Sequence, residues 1–257
     1  MTDSQLSSPG IALSPRGNES LALVLGGGGA RGAYQVGVLR GIARQFPDLR
    51  FPILCGISAG AVNTVHLANH PGPLERATED LVGLWLKLSP EQVFEVRALP
   101  LVKNLLRWGF SLVAGGMVHR KPTRGLVDTD PLRRFLAKAL NHAPDEPLEG
   151  IQRNLDAGRL IAVALAATRY GTGQSVTWVQ GREVDLWTRP QRHAQKTLLT
   201  VDHIMASSAL PLLFPAVNVD DEWYGDGGVR LTAPLSPALH LGASRILTIS
   251  TRYARSV

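Results

Sequence analysis

Apolar and polar positions along the chain alternate between short unbroken apolar runs and longer stretches with helical spacing. Leu21-Ala-Leu-Val-Leu25 is an apolar run that ends in glycines, as a strand buried in a parallel sheet does. Residues 33–45 follow with Val36, Leu39, Ile42 and Ala43 at helical spacing. Residues 51–55 read as a second buried strand and 59–69 as a second helix. Strand, turn and helix thus occur twice in quick succession, the mark of a parallel α/β sheet.

Further along, 74–88 places Leu81, Leu84, Trp85 and Leu88 on one helical face. Residues 99–113 predict another helix, with Lys103, Arg107 and Ser111 on one stripe and Gly115-Gly116 as its stop. Asp130 and Pro131 open a helix that runs to Leu140, with Pro131 in a first-turn position. Residues 160–166 predict a central strand, and 175–180, with Val176, Trp178 and Val179, an edge or hairpin strand. A helix over 201–209 stops at Pro211, and 245–250 predict a last buried strand. No internal repeat or interior linker interrupts this order. One domain over 21–257 is therefore expected, behind a disordered lead-in over 1–20 that is rich in Ser, Pro, Gly and Asn. Because the chain stops just after a predicted strand, a longer natural protein is also expected.

Composition changes this picture little. Of 257 residues, 44% are hydrophobic and 19% charged, which excludes a collagen, a coiled coil and a disordered protein. Cys55 is the sole cysteine, so no internal disulfide is possible and a reducing, cytoplasmic setting is the default. The first twenty residues lack the basic start and apolar run of a secretory signal. No apolar run reaches the ~18 residues of a membrane span, so a soluble or peripheral protein is expected. Charge is more telling in its distribution. From Arg97 to Arg134 there are eight basic and two acidic residues, leaving 19 of each sign elsewhere. Such an excess favours an anionic partner: a membrane surface, a nucleic acid or an acidic lipid.

Two glycine motifs carry the candidate chemistry. Gly26-Gly-Gly-Gly-Ala-Arg-Gly32 follows a strand and opens a helix, where backbone N–H groups converge on an anion. A dinucleotide fingerprint fits Gly27, Gly29 and Gly32, but the next strand ends Leu54-Cys55-Gly56 without the required acid. A Walker A loop lacks its Gly-Lys-Ser/Thr. An oxyanion hole and a plain tight turn remain. Gly56-Ile-Ser-Ala-Gly60 is G-x-S-x-G between strand and helix, the setting of a nucleophile elbow at Ser58.

A serine nucleophile needs a base. Of seven histidines, only His240 follows a suitable acid in the Ser–Asp–His order, and it falls in a predicted helix rather than an exposed loop. Asp226-Gly-Gly228, after the strand-like Trp223-Tyr224-Gly225, presents a carboxylate on a short turn that can accept the serine proton directly. Alternatively, Asp226 simply holds a turn.

The three motifs in this order, Gly27–Gly32, Gly56–Gly60 and Asp226–Gly228, resemble the patatin-like phospholipase family. The flanks Ala206-Ser-Ser-Ala-Leu-Pro-Leu-Leu-Phe-Pro-Ala216 and Gly228-Val-Arg-Leu-Thr-Ala-Pro-Leu235 resemble it too. The resemblance implies a three-layer α/β/α sandwich with a mostly parallel central sheet. It implies a Ser-Asp dyad, with Ser58 as nucleophile, Asp226 as base and the N–H groups of Gly28 and Gly29 as oxyanion hole. Gly27, Arg31, Gly32, Gly56, Gly60, Gly227 and Gly228 match the supporting motif positions. Some relatives begin the glycine motif with Asp where Gly26 stands, a departure harmless to a role carried by backbone groups. The implied activity is hydrolysis of fatty-acyl esters of lipid or phospholipid, of phospholipase A or lysophospholipase type. No cofactor is expected. The sequence has no Asp/Asn-rich calcium loop and no His/Cys metal cluster, so calcium independence is expected. The predicted 99–113 helix and its basic flank predict peripheral contact with anionic membrane, against the plainer alternative of a core-facing helix. No nucleic acid partner is expected, because a nucleotide-binding reading leaves Ser58 and Asp226 without purpose. A catalytically silent lipid-binding scaffold, or an esterase or thioesterase on other acyl substrates, are the competing functions. Phe214, Trp223 and Tyr224 are the aromatic residues expected nearest the site.

Overall fold

The computed structural model describes residues 20–95, 125–231 and 233–251. The predicted helix over 99–113, the basic residues from Arg97 to Arg124 and the lead-in before residue 20 lie outside them. In chain order the elements are β1 (Leu21–Leu25), α1 (Gly32–Gln45), β2 (Ile53–Gly56), α2 (Ala59–Asn69), α3 (Leu74–Lys87), α4 (Pro90–Val93), α5 (Asp130–Leu140) and α6 (Glu149–Asp156). Then come β3 (Ala162–Arg169), β4 (Ser175–Gly181), β5 (Thr188–Arg189), β6 (Arg192–Lys196), α7 (Val201–Ser207), β7 (Val217–Val219), β8 (Glu222–Asp226), α8 (Leu235–His240) and β9 (Arg245–Ile249).

The strands form one sheet in the order β5-β6-β4-β3-β2-β1-β9, with β8 pairing β3 and β7 pairing β8. Its centre, β3-β2-β1-β9, is parallel. Alternate side chains divide between two apolar layers, as a two-residue strand period dictates. Leu23, Leu25, Leu54, Val163 and Leu165 face Val36, Leu39, Val65 and Leu81 of α1, α2 and α3. Ala22, Val24, Ile53, Cys55, Ala162 and Ala164 face Ala238 and Leu241 at α8. β1 and β2 are thus covered on both sides, which is why they read as unbroken apolar runs. The result is an α/β/α sandwich with a mostly parallel central sheet.

Two strands differ from expectation. β4 is the hairpin partner of β3 but not an edge: β6 flanks it on the other side, and six of its seven residues are buried. β9 was expected to be buried, yet among the described residues it pairs only with β1, and Arg245 and Thr248 are exposed. A strand with one neighbour keeps one flank open, whatever its hydropathy.

Register places the site. Leu25 lies opposite Gly56 and Ile249, and Gly56 opposite Leu165. Leu25, Gly56 and Ile249, the last residues of β1, β2 and β9, are therefore level, beside Leu165 within β3, which runs on to Arg169. Just beyond this row lie the glycine loop after β1, Ile57-Ser58, Ala166 within β3 and Thr251 after β9. In open α/β sheets ligands bind in the crevice outside that edge.

Candidate active site

Ser58 is the N-cap of α2, with φ 57° and ψ −127°. A positive φ on a residue with a side chain costs about 1–3 kcal/mol and persists only where the surroundings over-determine it. Here they do. The Ile57 N–H donates to the Leu25 carbonyl at 3.1 Å. The Ser58 N–H donates to Ser207 Oγ at 3.1 Å, and the Ser207 hydroxyl donates to the Ala166 carbonyl at 2.7 Å. Ser207, from α7, therefore bolts the turn to β3. Gly60 permits the close approach of α2 to β1, since a Cβ there would overlap the Leu25 and Gly26 carbonyls. Gly56, the last residue of β2, lies against Thr64 of the same helix.

Asp226 ends β8, opposite Ala167 of β3. Its N–H donates to the Ala209 carbonyl at 2.8 Å, and Thr168 Oγ1 donates to its carbonyl at 3.0 Å. Oδ1 accepts the Gly228 N–H at 2.6 Å across the Gly227–Val229 turn. Gly227 rests on the Ala166 carbonyl, and Gly228 lies between Oδ1 and Ile57. Oδ2 is buried and makes no hydrogen bond among the described residues. Burial pushes the Asp226 carboxyl pKa up, while the nearby Ser58 hydroxyl and the Gly228 N–H pull it back. Ser58 and Asp226, far apart in sequence, are 7% and 3% exposed and electrostatic neighbours.

The glycine loop closes the third side. A Cβ on Gly27 would stand 3.2 Å from Ser58 Cβ and 3.8 Å from its Oγ. Gly28 is half-buried, while Gly29 (φ 56°) and Arg31 are exposed in the short turn that leads to α1. Gly32 starts α1 under the Trp85 ring. Beneath the loop runs a buried polar chain. The Trp85 indole N–H donates to Asn63 Oδ1 (2.8 Å), Asn63 Nδ2 to Gln35 Oε1 (3.0 Å), and Gln35 Nε2 to the Gly26 and Ile249 carbonyls (2.8 and 3.2 Å). Gln35 and Asn63 carried no signal in the sequence beyond their polarity, and Trp85 and Ser207 were seen only as part of a helical face and a motif flank, since each acts through a contact made only in the folded chain.

His240 is not brought to Ser58. It ends α8 on the opposite face of the sheet from α2 and stacks on Trp187 at 4.6 Å. Of the three aromatic residues expected nearby, Tyr224 is core, 4.7 Å from Trp178. Phe214 packs on Phe94, and Trp223 is 44% exposed. Among the described residues no group of three His, Cys, Asp or Glu side chains could hold a metal ion, and no helix is long and apolar enough to cross a membrane. The arrangement sets a hydroxyl at a helix N-terminus beside a buried carboxylate with an unpaired oxygen, a pairing suited to moving the hydroxyl proton.

The family model of the patatin-like phospholipases matches residues 23–239. No curated protein matches the sequence. Among solved structures, the crystal structure of VipD from Legionella pneumophila is similar over 81% of this chain, with 17% identity and a TM-score of 0.44. The match spans 45% of the VipD chain.

Proposed function

Because the chain belongs to the patatin-like phospholipase family, a family of lipid acyl hydrolases, we propose that it is a serine hydrolase of the phospholipase A or lysophospholipase type, working through a Ser58–Asp226 dyad. The observation that carries this reading is the unpaired, buried Asp226 Oδ2 beside a Ser58 held at positive φ. Asp226 takes the Ser58 proton as Oγ attacks the acyl carbonyl carbon. The N–H groups of Gly28 and Gly29 receive the oxyanion, and each such donor is worth about 10²–10³ in rate. As the tetrahedral intermediate collapses, the ester bond breaks and Asp226 returns the proton to the departing alkoxide. Water then attacks the acyl-enzyme with the same base, releasing a fatty acid and regenerating the Ser58 hydroxyl. The substrate is a lipid or phospholipid ester, met at an anionic membrane surface. All these steps use groups of this chain, so chelation with EDTA leaves turnover unchanged.

A fluorophosphonate probe with mass-spectrometric mapping tests the reading. The adduct is expected on Ser58, absent in Ser58→Ala and strongly slowed in Asp226→Asn. An adduct that survives Asp226→Asn at the original rate refutes the dyad.

A further inference from the structure

The glycine loop is tethered in a pattern. The Gly26 carbonyl accepts Gln35 Nε2 at 2.8 Å, the Gly27 carbonyl accepts the Thr251 hydroxyl at 2.6 Å, and the Gly28 carbonyl accepts the Arg31 N–H at 3.2 Å. Three consecutive carbonyls are thus held. The next N–H in each peptide, on Gly27, Gly28 and Gly29, meets no acceptor among the described residues. The peptides are trans, so each N–H points opposite to its own tethered carbonyl. Pinning a carbonyl on one side therefore aims a donor on the other. This matters for glycine in particular, because a Gly–Gly peptide rotates at little steric cost. A rotated Gly27–Gly28 peptide would present a carbonyl oxygen where an oxyanion has to sit.

We propose that Thr251 is a positioning residue that holds the Gly27–Gly28 peptide so that the Gly28 N–H faces the reacting centre. The inference rests on the reading of Gly28 and Gly29 as oxyanion donors. Three observations support it. Thr251 lies two residues past Ile249, the last residue of β9, which is level with the ends of β1 and β2. Its side chain is buried and fills the space where a Cβ on Gly28 would fall. Gln35 bridges the Gly26 and Ile249 carbonyls, which sets the spacing between the loop and the strand that delivers Thr251. The orientation of Gln35 is itself set by Asn63 and Trp85. The donors are thus aimed before substrate arrives, and preorganisation of this kind is what makes an oxyanion hole effective.

The test compares Thr251→Val, which keeps the shape and removes the hydroxyl, with Thr251→Ser, which keeps the hydroxyl. Both are made in the full chain and assayed on a short-chain nitrophenyl ester beside Ser58→Ala. Thr251→Val is expected to lower kcat by about 10- to 100-fold, short of the loss of a whole donor, with KM changed less than about 3-fold. Thr251→Ser restores most of kcat. A purely packing role predicts instead that Thr251→Val behaves as wild type and Thr251→Ser is the impaired variant, and that result overturns the proposal. If Thr251→Val does not fold, Thr251→Cys, which lacks a strong donor, takes its place with the same expectation. Wild-type turnover in Ser58→Ala sinks the dyad reading itself. Loss in Ser58→Ala with wild-type kcat in Thr251→Val sinks only the tether.

Discussion

Two regions at opposite ends of the parallel strands differ in how their polar groups are used. At the amino end of β2 and β3 is a cavity of about 340 Å³, lined by Phe51, Leu54, Leu67, Leu74 and Leu160 with Arg50, Arg159, His70 and Asn154. Its buried polar side chains are satisfied. Asn154 Nδ2 donates to the Ala68 and His70 carbonyls at 2.7 and 3.0 Å, and Asn154 Oδ1 accepts Arg159 Nε at 2.8 Å. His70 pairs with Asp80 and accepts the Gly72 N–H, each at 3.0 Å. At the carboxyl end, polar groups are left open: Asp226 Oδ2 and the N–H groups of the glycine loop. The backbone there is strained as well, at Ser58. A hollow with complete hydrogen bonding is architecture. Groups left open at the carboxyl end cost stability and are the ones a reacting substrate can engage.

That contrast can be broken by mutation. The largest expected effect is at Ser58: Ser58→Ala lowers kcat by about 10³-fold or more and leaves the melting temperature near wild type. Asp226→Asn lowers kcat by about 10²–10⁴-fold and leaves stability at neutral pH equal or higher. The sign follows from burial. The folded-state pKa of Asp226 is raised, so its stability contribution is present in acid and lost as pH rises through that pKa. Turnover needs the ionised carboxylate and rises with pH over the same range, so the two profiles have opposite slopes in the wild type. Asp226→Asn removes this contribution to the stability profile. If Asp226→Asn melts well below wild type at pH 7, the view of the site as a stability cost is wrong.

A third prediction concerns the core between the two ends. His203 is 4% exposed, with its edge on Trp178 at 4.7 Å. Its Nδ1 accepts the Thr200 N–H at 3.2 Å, and burial lowers its pKa to about 4 from 6.5. The unfolded chain takes up the proton first, so stability is lost as pH falls from 6.5 towards 4, by about 3 kcal/mol for this residue. Urea midpoints at several pH values read this slope, and a His203→Gln profile as steep as wild type assigns it elsewhere. The smallest effect is expected at the amino-end cavity. Asn154→Ala leaves the Ala68 and His70 carbonyls without their side-chain donor, costing about 1–3 kcal/mol of stability with kcat intact. A kcat loss there, measured on folded protein, would erase the contrast between the two ends.

Much of the fold was legible before the structure was known, because local patterns carry it. β1, α1, β2 and α2 were readable from apolar run length and helical spacing over Leu21–Asn69, since both covered strands and amphipathic helices write their burial into consecutive residues. Less local elements were not. β6, Arg-His-Ala-Gln-Lys, is too polar to read as a strand and exists because β4 pairs with it. α6 buries only Gly150, Ile151, Asn154 and Leu155, too brief a stripe to find. β9 has the hydropathy of an inner strand but lies at the edge among the described residues, because strand order is a property of the sheet rather than of any one strand.

The candidate site divides in the same way. Ser58, Asp226 and the glycine loop were visible as motifs, because a nucleophile elbow, an Asp-Gly turn and a loop that must approach other backbone each demand particular residues within a few positions of one another. The amino acids alone named these groups and the order in which they occur. Folding supplied the rest: the burial that leaves Asp226 Oδ2 unpaired, the Ser207 bolt on the turn, and the Gln35 and Thr251 tethers on the loop. These depend on distances between segments that are remote along the chain, and no spacing in the sequence encodes a distance through space.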